Sequence, residues 1–252
     1  KQKTAYELSL GLVGSEMCIR DSISRDYPGA LVDFLEANTQ SNVIFLNGAC
    51  GDVNPRLPGF SLDKPYAMKG GFKDVEWMGR VVGAEALKTL LLARKEEPEL
   101  DYTQKTIEPK TYPLPSIKEV EERLQLLLEE LKRNDTNELR FKIFEAQRTL
   151  WFWESFKGKL ITEVKALKIS KNTAIVFLPG EPVVKIGLTI KSRSPFPNTL
   201  VVGYSGDYIG YLPLKEDYEK GGYEAKFPVT FLIPGESEKI MELALELLES
   251  LK

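Results

Sequence analysis

The sequence predicts an α/β fold: a layered mixed sheet with flanking helices and an inserted helical hairpin. Three observations carry that expectation. Helix-period and strand-type segments alternate along much of the chain. Three apolar strand-like runs each empty into a polar loop that contains glycine. Residues 116–157 hold two consecutive helical patterns joined by a short polar turn, which reads as a hairpin set into the α/β order.

The elements follow in order from Ile23. Residues 26–29 (DYPG) lead into an amphipathic stretch, Ala30 to Glu36, with Leu31, Phe34 and Leu35 on one face. Residues 42–46 (NVIFL) form a continuous apolar run, the pattern of a strand buried on both faces. A helix is expected from about Asp74 to Lys95, with Val75, Met78, Val82, Ala86 and Leu90 at helical spacing. Ser116 and Glu119 form a capping box that opens the first hairpin helix, whose stripe is Ile117, Val120, Leu124, Leu127, Leu128 and Leu131. Residues 134–137 (NDTN) make the turn, and the second helix runs to about Phe156. It ends in Trp151, Phe152, Trp153 and Phe156, which either pack the hairpin onto the body or line an apolar pocket.

Two β-rich runs, 162–169 and 173–178, are joined at residues 170–172 as a hairpin. A helix is expected from Pro182 to Lys191, a further buried strand over 199–204, and a closing amphipathic helix over about 236–251. A tyrosine-rich loop fills 203–224. There is no internal repeat.

Composition narrows the function classes. The 252 residues are 42% apolar and 28% charged, with a net charge of −3, as expected of a folded chain with a substantial core. Nothing in that charge balance marks a nucleic-acid partner. No apolar run reaches the ~20 residues needed to span a bilayer. Two cysteines exclude a disulfide scaffold. Histidine, the commonest general base and zinc ligand, is absent altogether.

Residues 1–22 (KQKTAYELSLGLVGSEMCIRDS) make a poor leader peptide. They closely resemble translated sequencing-adaptor read-through. The expectation is a non-native segment at 1–22, Cys18 included, preceding an N-terminally truncated α/β domain at 23–252. Compartment and oligomeric state leave no mark in the sequence.

Candidate chemistry gathers where the strand-like runs end, the usual place for ligands in α/β sheets. The loop 48–56 lacks the Gly-Lys-Ser/Thr ending of a phosphate loop. Its glycines let the backbone pass close to a ligand or to another strand. Asp52 and Asn54 either face a site or close an Asx-turn. Glu181, at a strand-to-helix junction before Pro182, either caps the helix or holds a carboxylate rigidly at a strand end. Residues 203–213 (GYSGDYIGYLP) present three tyrosines, with Tyr218 and Tyr223 beyond. Such phenols ligate a metal, donate to an oxyanion, or form an interface.

In order, residues 24–29 (SRDYPG), 45–55 (FLNGACGDVNP), 178–181 (LPGE), 208–211 (YIGY) and 222–224 (GYE) resemble the neutral ceramidase family. That resemblance implies a zinc-dependent hydrolase acting on an amide bond of a small or lipid-like substrate. It implies Glu181 and Tyr211 as two zinc ligands and Tyr223 as an oxyanion donor. Two further histidine ligands are expected upstream of Ser24, in agreement with their absence here. The family's catalytic serine position is Asn54, which has no hydroxyl. This departure argues against ceramide as substrate and for metal-activated water, with Asn54 and Asp52 as pocket residues orienting it. The chain alone is then expected to be inactive. The alternatives are a non-catalytic binding or assembly protein of the same fold, and a complete histidine-free enzyme using carboxylate chemistry.

Overall fold

The computed structural model describes residues 24–53 and 71–252. It divides them into two compact units.

The first unit, comprising residues 48–52 and 98–252, holds a four-stranded mixed sheet. Its strands are β1 (Pro98–Ile107), β2 (Thr162–Ser170), β3 (Thr173–Phe177) and β5 (Asn198–Val202), in the order β1-β2-β3-β5. β1 and β2 pair antiparallel, as do β2 and β3, while β3 and β5 run parallel. Strict alternation of burial along β2 and β3 gives these two strands one buried face, with Val164, Ala166, Ala174 and Val176 fully buried. Helix α7 (Glu236–Ser250) packs on that face against β1, β2 and β3 and also touches α5 (Val184–Arg193), which packs on β5. Ala166 and Ala174 are small enough to let Ile240, Ala244 and Leu248 approach in the same core.

The inserted hairpin is present as expected. α3 (Ile117–Leu131) opens with the Ser116–Glu119 capping box, and α4 (Asn137–Phe156) opens with Thr136 accepting from the Leu139 amide. The two helices share a small core of Val120, Leu127, Leu139, Ile143 and Ala146. The aromatic end of α4 is largely packing. Phe152 is fully buried with its ring 4.5 Å from that of Phe231, and the Trp153 indole donates to the Pro115 carbonyl.

Between β3 and α5 lies β4 (Glu181–Pro182). It pairs in parallel with β6 (Tyr211–Leu212) as a separate two-stranded ladder. Pro182 therefore ends a strand and is not the first residue of the helix, which begins at Val184. A short helix, α6 (Lys215–Lys220), interrupts the tyrosine-rich stretch.

The second unit contains α1 (Asp26–Thr39) and α2 (Phe72–Leu92). They meet chiefly through small residues, and the expected apolar stripe of α2 is only partly buried, at Val75, Met78 and Ala86. Gly79 and Gly83 are its buried positions, whereas Val82 and Leu90 are exposed. A Cβ at Gly79 would lie 2.5 Å from that of Ala30, so the approach is nearly backbone to backbone.

Residues 42–46 are not a strand, contrary to expectation. No described strand pairs with them, and Ile44 is 85% exposed. An apolar run becomes a buried strand only when neighbours take up its backbone groups and both its faces. Among the described residues no strand pairs with it; the Val43 amide donates to the Glu36 carboxylate and the Phe45 ring packs edge-on against Tyr27.

Candidate active site

The site is built at the ends of β3, β4 and β5. Leu178 continues β3 and donates its amide to the Val202 carbonyl. The chain then turns through Gly180 at φ 65°, where a Cβ would meet the Gly210 carbonyl at 2.3 Å. Only glycine permits that passage. It delivers Glu181 into the ladder, its amide bonded to the Gly210 carbonyl at 2.9 Å and its Cα opposite that of Tyr211. Paired residues on adjacent strands project to the same face, so carboxylate and phenol stand side by side.

The glycine-rich loop 48–52 crosses this ladder. The Gly51 amide donates to the Pro182 carbonyl at 2.9 Å, and a Cβ on Gly51 would sit 2.8 Å from the Glu181 carbonyl oxygen. Here the glycines serve close passage to another strand. The Asp52 carboxylate bonds to α5. Its Oδ1 accepts from the Val184 amide at 2.6 Å, so it satisfies an orphan donor at the start of α5. The capping role open to Glu181 in the sequence is thus taken by Asp52. Asn54 lies outside the described residues.

Glu181 is buried and gathers phenols instead. Tyr208 donates to its Oε1 at 2.7 Å. Burial, together with the hydrogen bond and charge of Glu181, pushes the Tyr204 and Tyr211 phenols well above their ordinary range. The same causes raise Tyr208, partly opposed by the positive charge of Arg148. Tyr204 and Tyr208 stack at 6.1 Å, and Tyr204 holds a left-handed backbone (φ 54°), rare for a bulky residue. Tyr223 packs edge-on against Tyr211 at 6.1 Å, which places the expected oxyanion donor beside the expected ligand. Tyr218 is separate: its hydroxyl donates to the Leu232 carbonyl, a packing role.

Two further residues belong to this cluster. Burial raises the Cys50 thiol, helped by the Glu181 charge, while a hydrogen bond with Tyr204 opposes the rise. Arg148, on α4, places its guanidinium 4.3 Å from the centre of the Trp151 ring and 5.3 Å from that of Tyr208. Sequence reading singled out the three loop tyrosines but not these two. A charged residue in a helix resembles any solvated position, and a lone cysteine carries no signal.

Zinc is the cofactor that the sequence resemblance implies. A carboxylate and a phenol side by side are suitable oxygen donors, provided the metal displaces the phenolic proton. Among the described residues, no group of three or more His, Cys, Asp or Glu side chains is placed to hold a metal. They fit one side of a zinc site and do not complete it.

The sequence matches no protein-family model and no curated protein. The fold does have a solved counterpart. It is similar to the crystal structure of neutral ceramidase from Pseudomonas aeruginosa, with a TM-score of 0.64 over 96% of this chain. Identity is 16%, so the likeness is one of fold. The chain spans 42% of the length of that ceramidase. No helix among the described residues is long and apolar enough to cross a membrane.

Proposed function

We propose that this chain carries one side of the active centre of a zinc-dependent hydrolase that cleaves an amide or related non-peptide C–N bond. The observation that supports the reading is the Glu181–Tyr211 pair, held in register by β4 and β6 within a fold similar to that of a neutral ceramidase. Zinc bound there would supply a Lewis acid that polarises the scissile carbonyl and activates water. Glu181 and Tyr211 would be two of its ligands, with two histidines supplied from upstream of Ser24.

The chain's own residues then have distinct tasks. Tyr208 fixes the rotamer of the Glu181 carboxylate by donating to Oε1. Tyr211 keeps its proton until a metal displaces it, because burial and Glu181 both favour the neutral phenol. Tyr223, beside Tyr211, donates to the oxyanion that develops on the substrate carbonyl. Asp52 anchors the crossing loop to α5. Asn54, two residues beyond Asp52 in the sequence, is assigned the task of orienting the attacking water. An asparagine at that position argues against ceramide itself as the substrate.

A second reading is a binding or assembly protein that keeps the fold without catalysis. It is favoured by the level of the fold likeness, 16% identity, which carries architecture and no activity. The deciding experiment extends the chain upstream with its genomic sequence and assays hydrolysis of N-acyl amides. Turnover that Glu181→Ala abolishes supports the hydrolase. A folded, extended protein that cleaves none of them, or whose turnover survives Glu181→Ala, supports the binder.

A further inference from the structure

Arg148 is the one charged group of the cluster that the proposed chemistry does not use. Its guanidinium lies 4.3 Å from the Trp151 ring centre, 5.3 Å from Tyr208 and 5.6 Å from Phe231. Trp151 and Tyr208 also touch each other edge to face at 5.8 Å. Tyr208 in turn donates to Glu181, so the guanidinium borders the residues that hold the carboxylate. The Tyr208 side chain also hydrogen-bonds the guanidinium, which engages one of its N–H donors. Arginine carries five such donors and no acceptor.

Arg148 is also without an ion pair. Among the described residues, none of the ion pairs within 4.0 Å includes it, although neighbouring helical charges such as Arg140 with Asp135 and Lys142 with Glu138 are paired. Burial depresses its pKa, with Tyr208, Glu181 and Tyr223 acting in the opposite direction. A partly buried cation of this kind is costly unless an anion completes it. A guanidinium set beside aromatic rings suits one anion chemistry well, a planar carboxylate taken by two parallel hydrogen bonds.

We propose that Arg148 is a substrate-binding residue that selects amides bearing a free carboxylate near the scissile bond, as in an N-acyl amino acid. The assignment of substrate class rests on the hydrolase reading of the Glu181 site; the carboxylate binding itself does not. The hairpin would then supply specificity to a centre whose reactive groups come from the strand ends. A neutral N-acylsphingosine offers Arg148 no such group.

Binding tests this directly, without metal and without turnover, so its outcome is distinguishable from failure of the hydrolase reading. The 252-residue chain is titrated with N-hexanoylglycine and with its methyl ester, following tryptophan fluorescence, to which Trp151 contributes beside the guanidinium. The acid is expected to bind at least about tenfold more tightly than the ester, the scale of one charge-assisted hydrogen bond. Arg148→Met is expected to bring the two affinities together. Arg148→Lys, which keeps the charge but loses the fork, is expected to give an intermediate ratio and carries the test if the methionine variant fails to fold. Equal binding of acid and ester by the native chain, no binding of either, or a ratio unchanged in a folded variant overturns the proposal.

Discussion

Tyr208 donates its phenolic hydrogen to Oε1 of Glu181 across 2.7 Å. The two residues lie 27 positions apart, Glu181 on the short strand β4 and Tyr208 on the loop between β5 and β6. Their bond shows how the candidate site is organised: a buried carboxylate at the end of one strand, clothed by phenols from the next loop. Burial alone would make a carboxylate costly, and the phenols offset that cost. They also keep the carboxylate in one orientation, as a ligand or catalytic group needs.

The phenols should titrate late. Burial raises Tyr204, Tyr208, Tyr211 and Tyr218, the first three with help from Glu181. Absorbance at 295 nm should therefore resolve a class of tyrosines still protonated well above the ordinary value of about 10. Glu181→Gln should bring Tyr204, Tyr208 and Tyr211 downward and leave Tyr218 where it is. The sign for stability follows. The folded-state values are raised, so the contribution is fully present below about pH 10 and is lost progressively as pH rises beyond it, where only the unfolded chain has released these protons. A single class of tyrosines titrating near 10 would contradict the burial of the cluster.

Asp52 should behave as a helix cap. Its carboxylate holds the Val184 amide at 2.6 Å. Asp52→Ala is expected to lower unfolding stability by about 1 kcal/mol in urea, with Asp52→Asn closer to the native value. Equal stability of all three would remove the capping role and return Asp52 to consideration as a pocket residue.

Gly180 and Gly210 should be intolerant of any side chain. Both have positive φ, and a Cβ at Gly210 would lie 2.6 Å from the Val229 carbonyl. Gly180→Ala or Gly210→Ala is expected to cost at least about 2 kcal/mol, combining left-handed strain with the clash. Each variant should also disturb the Glu181–Tyr211 register, seen as earlier titration of Tyr211. Native-like melting of either variant would show that the ladder is less constrained than its geometry implies.

Local signals were legible in the sequence, and long-range ones were not. The Ser116–Glu119 capping box marked α3 because both partners lie within one turn. The alternation along β2 and β3 recorded a sheet with one buried face. Strand β1 left no such trace, because it is an edge strand with nearly every side chain exposed. Residues 42–46 misled for the opposite reason, their composition suiting a central strand although no described strand pairs with them and Ile44 is exposed. At the site, the motifs that carry Glu181 and Tyr211 were legible one by one, but their pairing across β4 and β6 was not. The cap on α5 comes from a residue 132 positions away, which no local pattern reveals. Arg148 looked like any helical charge until α4 was seen to turn it onto Trp151 and Tyr208.

The proposed zinc site, with Glu181 and Tyr211 on one side, is open to direct measurement. The measurement is zinc content and affinity of the protein extended upstream of Ser24 with its genomic sequence, alongside Glu181→Ala and Tyr211→Phe. The account predicts one tightly held zinc per chain, weakened at least 10–100-fold by Glu181→Ala and less by Tyr211→Phe. A folded, extended protein that holds no zinc, or whose zinc is indifferent to both substitutions, would contradict it.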